Sequence, residues 1–205
     1  LHKITTVFIK YTMLVIGNGE SRSGVKIDNL DTVKVGCNAI YRDCKTIDHL
    51  VCVDKRMMSE VCQAGYNNTA YCYTRHDWIH RYKSFNNIRE VPNLPYTGTE
   101  RKDEPFHWGS GPYAVLIGSH LSKEVHLLGF DLYGIDNKIN NIYKGTDNYV
   151  SGDKKAINPS YWIHQIAKVF ECFPNNKFII HIDKDWKIPG EWTFENVMLD
   201  KIENL

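Results

Sequence analysis

Gly17-Asn18-Gly19, with Ser21 two residues further on, follows the apolar run Met13-Leu14-Val15-Ile16. Glycines let a backbone come close to a ligand, and the unpaired N–H groups of a helix's first turn, together with its dipole, favour an anion such as phosphate. The pattern therefore predicts a buried parallel strand, a tight turn and a helix N-terminus. Asn38, Asp54 and Asp131 also fall where predicted strands end. Ligands of open α/β sheets lie outside the carboxyl ends of the strands, so these side chains are candidates for one pocket.

The elements that must position them are legible in order. Alternating, β-branched residues 33–38 and the apolar run 50–53 read as the second and third strands. Residues 55–64 read as a helix closed by Gly65, residues 69–73 as a strand, and residues 75–83 as a short helix with Trp78 and Tyr82 on one face. Residues 84–109 carry Pro92, Pro95, Pro105 and a charge cluster, and read as one long connection. Ser110 is expected to cap a buried helix over 113–121, with Pro112 in its first turn. The next strand spans 125–130 and ends at Asp131. Residues 135–158, rich in Asn, Asp, Lys and Gly with Tyr143 and Tyr149, read as a mobile lid. An amphipathic helix over 160–173 leads to a last strand over 177–182, and the tail with Trp186, Trp192 and Phe194 packs back on the body. Strands alternating with helices predict one α/β domain over 1–205, a Rossmann-like three-layer sandwich with a mostly parallel sheet and a lid-like insertion. Residues 1–12 read as an upstream extension or an added edge strand.

A chain of 205 residues buries a sizeable core, and a formal net charge of +1 gives no support to binding nucleic acid through phosphate neutralisation. The six cysteines form no CxxC pair and read as reduced thiols of a cytoplasmic protein. No apolar run approaches the ~18 residues of a membrane span. The sequence selects no oligomeric state; a homo-oligomer is compatible with it.

Several constellations compete for the chemistry. Gly17-Asn18-Gly19 supplies two glycines of a dinucleotide fingerprint, but Arg22 stands at the third position and Asn38 replaces the carboxylate that would take a ribose hydroxyl. Asp183-Lys184-Asp185 has the form of a metal-binding pair at the end of a strand, where a solvated turn is the plainer reading. His76 and His80 have a ligand spacing on what reads as an ordinary helix surface. Beside Ser110-Gly111, His107 could face a phosphate or an acceptor, and Trp108 either stacks on a base or anchors the loop in the core. No G-x-S-x-G elbow is present.

Ile16-Gly17-Asn18-Gly19-Glu20-Ser21, then Cys37-Asn38, then Ser110-Gly111 opening an apolar helix that leads to Gly129-Phe130-Asp131, resembles the bacterial sialyltransferases that include the Campylobacter enzymes. It is similar also to Rossmann-like domains with a GNGPS signature, some of them pterin diphosphokinase-like. The resemblance covers short islands, in order, between residues 13 and 182. It implies a CMP-sugar donor without a metal or other cofactor, and a glycan or small-molecule acceptor. It places Gly17, Asn18, Gly19 and Ser21 around the phosphate, Asn38, Ser110 and Gly111 around the nucleoside, and Asp131 beneath the donor sugar. Tyr143 and Tyr149 become the lid tyrosines that assist departure of the phosphate.

The chain departs from that pattern twice. Glu20 stands where the signature has Pro, and Asn158 falls where the family carries its general-base His. An amide takes no proton from a hydroxyl, which leaves His107 and His164 as candidates for the base. The sequence thus supports a glycosyltransferase, with two alternatives: a non-catalytic nucleotide-binding protein, or a diphosphokinase-like enzyme using ATP and Mg²⁺.

Overall fold

The computed structural model describes residues 12–95, 108–183 and 185–205. Strand β1 (Thr12–Ile16) lies at the centre of an eight-stranded sheet. On one side it pairs with β2 (Val33–Cys37), then β3 (His49–Val51), β4 (Tyr71–Thr74) and β5 (Ile88–Glu90). On the other it pairs with β6 (Glu124–Leu128), then β7 (Lys177–Ile182) and β8 (Val197–Lys201). Every pairing is parallel. The order β5-β4-β3-β2-β1-β6-β7-β8 reverses direction between β1 and β6, which makes a crevice at their carboxyl ends.

Alternation along β1 builds both faces of this α/β Rossmann-like fold. Met13 and Val15 enter a core shared with α3 (Ser110–Leu121) and α4 (Ser160–Cys172), while Leu14 and Ile16 enter a second core under α1 (Lys55–Gln63). The α3 helix is buried nearly all round, Leu116 completely, as its continuous apolar sequence requires. Each such Leu or Ile contributes about 1.5–3 kcal/mol through burial.

Four expectations are corrected. No α-helix follows the glycine turn: residues Glu20–Arg22 and Ile27–Asn29 form single 3-10 turns. The long connection contains β5, and the tail contains β8, so β7 is not the last strand. Among the described residues both missed strands are sheet edges: Arg89 and Glu90 of β5 face water, and β8 carries a run of only three apolar residues, of which Met198 and Leu199 are exposed. Ser110 is the first helical residue and Gly109 the N-cap, because the Ser110 hydroxyl accepts the Val53 N–H at 3.0 Å. The α1 helix ends as expected, at Gly65 in the left-handed region (φ 71°), and the one-turn α2 (His76–Ile79) continues into a 3-10 turn.

Residues 135–158 contain turns and isolated bridges, Ile135 with Lys138 and Lys138 with Lys155. Their hold on the body comes from side chains and from a backbone bond. Tyr143 is buried in the core under α1, and the Ile142 N–H donates to the Asn18 carbonyl at 2.9 Å. No described helix is long and apolar enough to cross a membrane.

Candidate functional site

A cavity of about 180 Å³ opens at the carboxyl ends of β1, β2 and β6, where the sheet order reverses. Gly17, Asn18, Gly19, Asn38, Ser110, Gly111 and Asp131 all line it. Ser21 lies outside its wall, bonded to Asp131.

The glycines serve strand contact. Gly17 and Gly19 donate to the carbonyls of Leu128 and Gly129, at 2.8 and 2.9 Å, carrying the β1–β6 pairing past the strand ends. A methyl group on Gly17 would run into the Gly129 carbonyl, and one on Gly19 into the Asp131 carboxylate. The N–H groups expected to cradle phosphate are already spent. Glu20 N–H donates to Asn140 Oδ1 at 2.8 Å and Ser21 N–H to Asp131 Oδ2 at 2.9 Å, while the Ser21 hydroxyl donates to Asp131 Oδ1. Asp131, 8% exposed, is therefore the anion of this turn. The helix N-terminus at the cavity belongs instead to α3, whose Ser110-Gly111-Pro112 opening forms one wall.

The amides at the strand ends remain unsatisfied. Asn18, 9% exposed, donates through Nδ2 to the Cys37 carbonyl and the Tyr149 hydroxyl, both at 3.2 Å. Its Oδ1 and that of Asn38 are buried without a hydrogen-bond partner among the described residues. Asn38 sits in the left-handed region (φ 54°), which an Asn tolerates better than most residues and which turns the chain out of β2. Leu132, another wall residue, has φ 63° in a turn closed by Tyr133 N–H to the Asp131 carbonyl at 2.6 Å. Strain at a bulky residue beside a cavity points to function.

The two tyrosines differ. The Tyr149 hydroxyl accepts from Asn18, a residue of the cavity wall, and from the Ala39 N–H at 3.4 Å. The Tyr143 hydroxyl donates to Asp43 and accepts from Arg22 at 2.7 Å, inside a network that also ties the Arg22 Nε to the Gly17 carbonyl at 2.9 Å. Burial raises both phenols above the ordinary value of 10.0, so both remain protonated donors; for Tyr149 the nearby Cys37 adds to the rise.

The other candidates are dispersed. His107 lies outside the described residues. Trp108 is buried in the core against Tyr113, so the anchor reading holds. His164 is not part of the cavity wall; Trp162 and Ile166 are the α4 residues there. Asn158 Oδ1 accepts the Ser160 N–H at 3.0 Å, in the turn that leads into α4, whose N-cap is Pro159. Asp54 caps α1, accepting from Arg56 at 2.8 Å. His76 contacts Asp77 at 2.6 Å, and among the described residues no group of three His, Cys, Asp or Glu is arranged to hold a metal. The cysteines are free, and burial pushes the Cys37 thiol up to about 12, far from a nucleophile.

Sequence reasoning missed Leu132, Asn140, Asn141 and Trp162. The Asn140-Asn141 pair was a usable signal inside the insertion, but Trp162 lies off the helix face that the apolar spacing picks out.

No protein-family model and no curated protein matches the chain in sequence. Among solved structures, the monofunctional α-2,3-sialyltransferase Cst-I from Campylobacter jejuni superposes with a TM-score of 0.60 at 15% identity, over 90% of this chain and 80% of that one. The sialyltransferase CST-II, solved with a trisaccharide acceptor and CMP, gives 0.52 at 16% identity, over 82% of this chain and 80% of that one. The chain shares the fold of these enzymes.

Proposed function

We propose that the chain is a glycosyltransferase of the sialyltransferase kind, with a CMP-sugar as donor in the cavity between β1, β2 and β6. One observation carries the reading: Asn18 and Asn38 hold buried amide oxygens without partners in the wall of a cavity at the sheet's reversal point. A buried acceptor left unsatisfied costs about 1–3 kcal/mol, which a ligand donating from ribose hydroxyls or a base amine recovers. The N-terminus of α3 is the second support, since it favours a phosphate near Ser110 and Gly111.

A volume of about 180 Å³ is too small for a whole nucleotide-sugar, because ligand pockets run to roughly 300–1,000 Å³. Donor binding in this reading displaces the Tyr149 hydroxyl from Asn18 and Ala39, and the insertion acts as a lid. Tyr149, protonated and bonded to the wall residue Asn18 before the donor enters, then donates to the departing phosphate. The acceptor oxygen bonds to the anomeric carbon as the bond from that carbon to the phosphate oxygen breaks. The phosphate keeps the electron pair, and the acceptor's proton leaves to a base or to water.

Asn158, an amide engaged by the Ser160 N–H where the resemblance has a base, favours a second reading, nucleotide binding without transfer. The test is thermal stability with CMP, CDP, UDP, GDP, ATP and NAD, each with and without Mg²⁺. A ligand at 100 times its Kd adds about 2.7 kcal/mol. The proposal expects stabilisation by CMP that is independent of Mg²⁺ and lost in Asn38→Ala; silence across the panel refutes it. Hydrolysis of a CMP-sugar donor then separates the enzyme from the binding protein.

A further inference from the structure

Beside the cavity, and sharing Phe130, Asp131 and Asn140 with it, lies a wider groove of about 970 Å³ at the ends of β6 and β7. Tyr133 and Trp186 line it with ring centroids 6.4 Å apart, and Tyr133 and the neighbouring Ile135 are 38% and 50% exposed. The Trp186 indole N–H donates to the Asp131 carbonyl at 2.7 Å, which fixes the ring against the wall common to both hollows. Around these rings stand Asp136, Asp183 and Asp185, against Lys187 and His181 among the described lining residues; of the other lining carboxylates, Glu20 is paired with Lys144 at 2.6 Å and Asp131 accepts from Ser21.

Aromatic faces with carboxylates around them suit a sugar ring: the C–H face packs on the rings, and carboxylates accept from neighbouring hydroxyls. The same carboxylates repel a phosphate, sulfate or carboxylate group on the ligand, through a field that a concave wall concentrates. The groove adjoins the cavity across Phe130 and Asp131, so a recipient standing in it would face a group handed on from a nucleotide in the cavity. We propose that this groove binds the acceptor, that the acceptor is an uncharged, hydroxyl-rich sugar, and that anionic sugars are excluded. This rests on reading the cavity as a nucleotide-sugar site.

Two tryptophans report on the two hollows separately: Trp162 lines the cavity and Trp186 the groove. Their indole N–H resonances in the full chain are assigned with Trp162→Phe and Trp186→Phe. Titration with lactose is expected to move the Trp186 resonance, and 3′-sulfated lactose is expected to bind at least about tenfold more weakly. The exposed pair Asp183→Asn with Asp185→Asn should shrink that ratio to about threefold or less and should leave folding intact. Equal affinity for both sugars, tighter binding of the sulfated one, or no response of Trp186 to lactose overturns the proposal. CMP is titrated in parallel. If CMP leaves Trp162 unmoved while lactose moves Trp186, the nucleotide reading fails and the groove stands as a sugar site; the reverse pattern overturns the groove alone.

Discussion

Asp131 joins chemistry to folding at the residue scale. Its carboxylate takes the Ser21 N–H and hydroxyl, while its carbonyl takes the Tyr133 N–H and the Trp186 indole. One side chain thereby sets the turn after β1 and walls both hollows. It stands where the turn's own N–H groups would otherwise meet an anion, so a phosphate in the cavity must draw on α3 and on side chains. Asp131→Ala removes two hydrogen bonds to a charged acceptor in a buried place and is expected to cost about 2–3 kcal/mol. Urea unfolding at neutral pH measures it; a loss below about 0.5 kcal/mol would mean that the turn holds its shape without the carboxylate. Gly19→Ala tests the same contact from the other side. Its methyl group would run into Asp131, and the expected cost is about 1–3 kcal/mol, the usual range for overpacking.

At the scale of elements, the insertion is folded by turns and backbone bonds such as Gly145 N–H to the Val150 carbonyl and Ala156 N–H to the Asn137 carbonyl, and a few latches tie it to the body. Glu60 of α1 is one, accepting from Tyr41, from Arg42 at 2.7 Å and from Asn148 at 2.6 Å, while Arg42 reaches Thr146 at 2.8 Å and the Asp147 carbonyl at 3.0 Å. Burial pushes the Glu60 carboxyl up, but the bonds from Tyr41, Arg42 and Asn148 outweigh it and hold the group below its ordinary value of 4.5. A carboxyl depressed in the fold lends stability above that ordinary value and loses it as pH falls through the folded one. Backbone hydrogen exchange over residues 141–150, corrected for its intrinsic pH dependence, is therefore expected to rise below about pH 4. Glu60→Gln should raise it at neutral pH too; unchanged protection in both cases would show that Tyr143 alone holds the segment. This latch was illegible in the sequence, since Arg42, Glu60 and residues 146–148 are brought together only by the fold. The strands β1, β2, β3, β4, β6 and β7 were legible because burial on both faces demands apolar runs, whereas β5 and β8, with one neighbour each, need none. The 3-10 turn in place of a helix after Gly19 has the same kind of cause: Asp131 supplies from across the sheet what a helix would have supplied locally. Gly17, Asn18, Gly19, Asn38, Ser110, Gly111 and Asp131 were legible because each sits at a strand end or helix start, whereas Asn140 and Asn141 lie in the insertion; the Tyr143 hydroxyl is held by Arg22 and Asp43.

For the whole molecule, the parallel sheet fixes where a ligand goes and also how the fold responds to acid. Strands β6 and β7 bring His126 and His181 onto one face, with Nδ1 of the first 2.8 Å from Nε2 of the second and the rings stacked at 14°. His181 is 3% exposed, and its Nδ1 lies 3.3 Å from the Lys201 carbonyl on β8. Burial holds His181 below its ordinary value of 6.5; proximity to His126 works the same way, and the Lys201 bond and Asp200 only partly oppose them. Burial depresses His49, on the other half of the sheet, as well. As pH falls past 6.5 the unfolded chain takes up protons that the folded chain refuses, so the unfolded state gains. The stability that these histidines lend is complete above 6.5 and is lost as pH falls toward their folded values. The urea midpoint should accordingly decline from about pH 8 to about pH 5.5, before the carboxylates titrate. His181→Gln keeps a polar side chain without the titration and should flatten the decline; a midpoint that rises over this window would show that His181 is charged in the fold, its proton held through Asp200 and the Lys201 carbonyl against the cost of burial.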